Sequence, residues 1–124
     1  MSEVERQIAK ARDSLVFARY ALAGDYVEEA GRSAYMAAFH AAMAFVAARS
    51  GKSPKTHSGT RGEFARLARD EPGIGREQIS LLGWSYELKN AADYGQDHLV
   101  SHAEAARAIE EAARMVEIVA ALLA

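Results

Sequence analysis

Apolar residues recur every three or four positions along most of this chain, and the rhythm breaks at glycine and proline. Ile8, Ala11, Leu15, Ala18 and Leu22 form one stripe, which predicts a first helix from about Ser2 to Ala23. Gly24 fits a helix C-cap. Asp25 reads as the N-cap of the next helix, with Glu28 as its capping-box partner. That second helix runs to about Ser50 and closes at Gly51. Ala34, Ala37, Ala38, Ala41, Ala42, Ala44 and Ala48 leave several of its sides smooth. Tyr35, Met36, Phe39, Met43, Phe45 and Val46 supply the bulk. A helix apolar around most of its girth belongs at the centre of a fold.

A loop from Lys52 to about Gly59 follows, then a short third helix over Arg61–Arg69 that packs Phe64 and Leu67. The turn Glu71-Pro72-Gly73-Ile74-Gly75 ends it. The fourth helix is predicted from Arg76 to about Tyr94. Ile79, Leu82 and Tyr86 lie on one line of it, and Leu81, Trp84, Leu88 and Ala91 on another. Gly95 is expected to stop it. Ser101 caps the last helix, with Glu104 at the capping-box position and Ile109, Ala113, Val116, Ala120 and Leu123 as its stripe. The short connections predict an all-α, up-and-down bundle of four long helices plus one short helix, in one domain spanning residues 1–124.

Composition narrows the function classes. The 124 residues include no cysteine, which excludes a disulfide framework and a thiolate metal site. That suits a reducing compartment, and a cytoplasmic location is expected. Ser2-Glu3-Val4-Glu5-Arg6 does not read as a signal peptide. No apolar run approaches the ~20 residues that a membrane helix needs, so no membrane association is expected. With a net charge of -2 and a pI near 6.1, nucleic acid would have to be held by a local patch. Arg32, Arg49, Lys52, Lys55, Arg61, Arg66, Arg69 and Arg76 offer one. Glu104, Glu110, Glu111 and Glu117 offset it from the last helix.

Two segments carry polar residues that a plain bundle does not need: Pro54-Lys55-Thr56-His57-Ser58-Gly59 and Leu88-Lys89-Asn90-Ala91-Ala92-Asp93-Tyr94. Together with Gly31-Arg32-Ser33-Ala34-Tyr35-Met36-Ala37-Ala38-Phe39-His40-Ala41-Ala42, they resemble the HEPN domain family (higher eukaryotes and prokaryotes nucleotide-binding), and most of all its small single-domain bacterial and archaeal members. The resemblance runs from about Ser14 to Ala121. It implies a HEPN-like bundle, commonly homodimeric. Many members are metal-independent RNases, and several are toxins paired with a nucleotidyltransferase antitoxin. Others have lost the catalytic motif and bind nucleotides, RNA or proteins. The active motif is an arginine, four to six residues, then a histidine. This chain departs from it. Lys89 stands at the arginine position and Asn90 at the polar position after it. Tyr94 or Gln96 stands at the histidine position, and the nearest downstream histidine is His98.

Metal-free RNA cleavage needs a base for the 2′-hydroxyl and a cation for the charge on phosphorus. Lysine holds phosphate as a point charge, without the fork of arginine. Tyrosine, with a pKa of about 10, is a poor base at neutral pH. Lys89, Asn90, Tyr94 and His98 are therefore the candidate catalytic set. Lys89, Asn90, Asp93, Tyr94, Thr56 and His57 are the candidate binding set. Each also has a plainer structural role. Lys89 and Asp93 suit an i, i+4 ion pair. Thr56 or Ser58 suits a helix cap that leaves His57 in a loop contact or solvent, and His40 suits a hydrogen-bonded core or interface histidine. Tyr35 and Tyr86 read as packing residues with a polar tip. His98 and His102 are four apart, but a break falls between them and no carboxylate completes a set, so no metal is expected. No cofactor is implied.

Three readings follow. The first is a degenerate HEPN-like module that binds nucleotide, RNA or a partner. The second is an RNase toxin held by an antitoxin. The third is a protein–protein adaptor that uses the second helix and the Trp84 face.

Overall fold

The computed structural model describes residues 1–94 and 99–124. Five helices account for most of it: α1 (Glu3–Ala23), α2 (Val27–Ser50), α3 (His57–Ala68), α4 (Arg76–Tyr94) and α5 (His102–Leu123). The described residues form an all-helical bundle of four long helices and one shorter one, as the periodicity predicts. The expected stop at Gly95 lies outside the described residues.

Capping decides where three helices start. Ser2 and Glu5 form a reciprocal capping box at the start of α1, and Ser101 and Glu104 form another at the start of α5. Thr56 caps α3, its hydroxyl accepting from the Gly59 amide at 2.9 Å. The loop expected to run to Gly59 therefore ends at Thr56. α3 begins four residues earlier than its apolar stripe suggests, because the cap satisfies amides that the stripe does not reach.

The junction between α1 and α2 corrects another expectation. Asp25 does not cap α2. The N-cap is Tyr26, which makes no side-chain cap bond. Asp25 instead takes the left-handed conformation, at φ 64°. Its amide donates to the Leu22 carbonyl at 3.0 Å, and the Tyr26 amide donates to the Ala21 carbonyl at 2.8 Å. Those two bonds make a Schellman ending to α1, with aspartate where glycine is usual. Asp25→Gly is accordingly expected to stabilise the protein by about 0.5–1 kcal/mol, because glycine adopts that conformation without a Cβ penalty. Urea melts of the two proteins check this, and an unchanged or lower midpoint would contradict it.

α2 is the central element and touches every other helix. Ala34, Ala37, Ala38, Ala41, Ala42 and Ala44 are fully buried, as are Tyr35, Phe45 and Val46. Small side chains let the α1 axis approach closely, and Ala18 and Ala21 meet Ala30 and Ala34 in one buried cluster. A larger cluster joins α2 to Phe64 of α3, Leu81 and Leu82 of α4, and Met115, Val116 and Val119 of α5. The turn before α4 closes one end. Ile74 is buried there, and a Cβ on Gly73 would stand 3.0 Å from a Leu122 methyl, so a larger residue would need that side chain to give way. Ion pairs Arg12–Glu117 and Arg19–Glu110 join α1 to α5 across the surface. Exposed pairs of this kind contribute roughly 0–1 kcal/mol each, so packing and not charge holds these helices. No helix of the described residues is long and apolar enough to cross a membrane.

Candidate functional site

The polar residues of α2, α3 and α4 converge in one groove. α4 supplies Tyr86, Lys89 and Asp93 at three- and four-residue steps, so they share a face. α2 supplies Arg32, Tyr35 and Phe39 in the same way. α3 supplies His57 and Arg61, which are four apart and fall on one side because the helix already runs at His57.

At one end, Asp93 is shared between two cations. Lys89 Nζ donates to its Oδ2 at 2.7 Å, and Arg32 Nε donates to its Oδ1 at 2.7 Å. Arg32 also pairs with Glu29. The hydrogen bond from Lys89 is the main cause holding the Asp93 carboxyl below its ordinary value; Arg32 adds to it and partial burial opposes it. The expected i, i+4 pair of Lys89 and Asp93 is present. It is half of a bridge from α4 to α2 that sequence spacing does not show. Lys89 and Arg32 are thus largely neutralised by carboxylates.

At the other end, His57 is built into an aromatic wall. Its ring stacks on Phe39 with centroids 4.1 Å apart and planes 12° from parallel. Its Nδ1 lies 2.8 Å from the Tyr35 hydroxyl. Burial chiefly, and then the charges of Lys89 and Arg61, hold the His57 pKa below that of an ordinary histidine. Tyr35 is fully buried, and burial pushes its hydroxyl pKa up against the lowering influence of Arg61. The reading of His57 as a loop or solvent contact is therefore overturned: the early start of α3 turns its ring into the groove.

Arg61 completes the wall. Its guanidinium lies over the Tyr86 ring, 4.0 Å from the centroid. Such stacking is worth about 0.5–2 kcal/mol and fixes the plane of the cation. Arg61 Nη1 is buried with no hydrogen-bond partner among the described residues. Among the described residues, no carboxylate pairs with this arginine. Native structures rarely leave a buried donor unpaired, and less often one that carries charge. Arg61 was legible only as one surface base among eight. Its position four residues after His57 was a usable signal once Thr56 was recognised as the cap.

The remaining candidates divide. Asn90 follows Lys89 and stands one turn beyond Tyr86, half-buried, with no side-chain hydrogen bond among the described residues. Tyr94 is the last residue of α4. His98 lies outside the described residues. Thr56 caps α3 through its hydroxyl. His40 is bound elsewhere. Its Nδ1 donates to Gln7 Oε1 at 2.7 Å, while Gln7 Nε2 donates to Glu3 at 2.9 Å, an arrangement that fixes both the amide orientation and the histidine tautomer. It is a satisfied core histidine, as expected. Trp84 is half-buried under the Arg107 guanidinium at 4.3 Å, away from the groove at the α4–α5 seam.

The arrangement suits an anion of phosphate size. It offers a stacked guanidinium with no carboxylate partner among the described residues, a half-buried imidazole beside it, and the Asn90 amide on the adjoining turn of α4. The chain is 31% identical over 117 residues to a UPF0332 protein of Archaeoglobus fulgidus, an alignment that covers 94% of this chain and 92% of that one. The model of the HEPN domain matches residues 4–122. With nearly its whole length matched, the chain belongs to the HEPN domain family.

Proposed function

We propose that the groove between α2, α3 and α4 binds the phosphate of RNA or of a nucleotide, and that Arg61 makes the principal contact. The buried Arg61 Nη1 with no partner carries this reading. A cation held in that way is costly until an anion meets it, because desolvation removes the water that would otherwise satisfy it. Asn90 extends the contact along α4, while Lys89 stays paired with Asp93. The lysine and tyrosine at the motif positions favour a binding module over an RNase of the motif type. The chain works in this reading as a single domain of residues 1–124 and as a homodimer, in the cytoplasm.

Arg61→Gln removes the charge while keeping a polar group of similar reach. Binding of a labelled single-stranded RNA, followed by fluorescence anisotropy, is expected to weaken roughly 10- to 100-fold, since a hydrogen bond to a charged group is worth about 1.5–3 kcal/mol. The slope of log affinity against log salt should fall by about one. Unchanged affinity in a folded Arg61→Gln protein would overturn the proposal and favour a protein–protein adaptor.

A further inference from the structure

His57 is the group in this groove that the Arg61 contact leaves unused. Its ring is stacked flat on Phe39, which fixes its plane. Its Nδ1 lies 2.8 Å from the Tyr35 hydroxyl, and its Nε2 has no hydrogen-bond partner among the described residues. The residue is half-buried, so solvent and a ligand both reach the ring. His57 and Arg61 stand one turn apart on the same side of α3. The Tyr86 ring spans the two side chains. Its centroid is 4.0 Å from the Arg61 guanidinium carbon and 6.4 Å from the His57 centroid. An anion held by Arg61 therefore sits beside the imidazole.

The charges around that ring are one-sided. The titratable and charged groups facing His57 are Tyr35 and His40 from α2, Arg61 from α3 itself, and Tyr86 and Lys89 from α4. None is a carboxylate, and the Asp93 carboxylate of the groove is taken up by Lys89 and Arg32. In the free protein, burial first and then the charges of Lys89 and Arg61 disfavour the imidazolium, so the ring is predominantly neutral at neutral pH. A bound phosphate reverses that balance. It brings the negative charge that this end of the groove lacks, and its oxygens accept hydrogen bonds.

We propose that His57 is a second, proton-gated contact for the phosphate, so that the groove takes up a proton as it binds and holds its ligand more tightly at mildly acidic pH. This rests on the phosphate-binding reading above. An imidazolium carries N–H on both ring nitrogens. The Tyr35 oxygen accepts from Nδ1, and a phosphate oxygen accepts from Nε2. The outcome is the same whichever nitrogen holds the proton of the neutral ring. Because binding raises the imidazole pKa, the added affinity is complete below the free-state pKa and is lost as pH rises through the bound-state pKa. A rise of one unit corresponds to about a 10-fold difference in affinity between the two ends of that window.

The full-length protein is titrated with a labelled 2′-O-methyl oligouridylate that has hydroxyl ends. This probe lacks the 2′-hydroxyl needed for its own cleavage. Anisotropy is followed from about pH 5 to pH 8, the range in which histidine is the side chain that ordinarily titrates. The probe has no titrating group in that range, so a change in affinity belongs to the protein. Wild-type affinity is expected to strengthen roughly 10-fold from the alkaline to the acidic end and then to level off. Calorimetry in buffers of different ionisation heat should show a net proton uptake that peaks inside the window. In the wild-type protein, the His57 imidazole resonances should titrate at higher pH with the probe bound than without it. His57→Gln, if its melt is that of wild type, should show neither the acid gain nor the uptake, while Arg61→Gln should weaken binding at every pH. A flat wild-type profile, with binding that still depends on Arg61, would overturn this inference and leave the phosphate-binding reading standing. An acid gain that persists in folded His57→Gln, or a His57 titration that the probe does not move, would assign the proton to another group and overturn it as well. No binding at any pH would overturn both readings.

Discussion

Phe64→Ala is expected to destabilise the protein by about 3–5 kcal/mol, the range for removing a fully buried aromatic ring. Phe64 is wholly excluded from solvent and meets Phe45 of α2 edge-on, with centroids 5.6 Å apart. It is the largest side chain that α3 buries; Thr60 and Ala68 are its other buried residues. Among the described residues, α3 rests on α2 and α4 alone, and Phe64 is its main hold on them. A domain of this kind has about 5–15 kcal/mol of total stability, so the loss is a large share of it. The thermal midpoint should fall by on the order of 10–20 °C. The consequence reaches function, because α3 carries both His57 and Arg61. Hydrogen exchange should show α3 amides losing protection before those of α2, and RNA affinity should fall with them. A Phe64→Ala protein with a wild-type melt and protected α3 amides would show that α3 is held by something other than this ring.

Ala18→Leu should cost about 1–3 kcal/mol or more, through overpacking. Ala18 is fully buried in a cluster with Ala21, Ala30 and Ala34, where α1 and α2 approach closely. Leucine is the better-packing residue in most cores and is nearly as good a helix former. The cost therefore comes from the space available, since a side chain three carbons larger must push two helix backbones apart. The substitution distinguishes a tight small-residue seam from a loosely packed helix pair. An Ala18→Leu protein as stable as wild type would mean that the axes are not in close contact there.

Much of the fold was legible in the chain itself. Stripes at three- and four-residue spacing placed all five helices, and the capping box at Ser101 marked the start of α5 to the residue. The range Arg76–Tyr94 was predicted as it is observed. Two boundaries went wrong for one physical reason. Asp25 and Thr56 are both residues that bond to nearby backbone, and that bonding can serve either end of a helix. Asp25 serves the end of α1, in the left-handed position, while Thr56 opens α3 before any apolar residue announces it.

The candidate site was legible in part. Lys89, Asn90 and Asp93 stood out because a polar run replaces the stripe at the end of α4. The second ion pair of Asp93, with Arg32, was not visible, since 61 positions separate the two residues. Tyr35 and Tyr86 read as packing residues, and Arg61 read as one surface base among many. Each of those readings is the commoner role for its residue type.

Periodicity, capping chemistry and small-residue composition are local properties, so the order of residues was enough to dictate an alanine-seamed helical bundle with α2 at its centre and a polar end to α4. Which of the cations would be left without a counter-charge depends on side chains that meet across three helices. The packing of those helices gives Asp93 to both Lys89 and Arg32, and it leaves Arg61, stacked on Tyr86, without a carboxylate partner among the described residues.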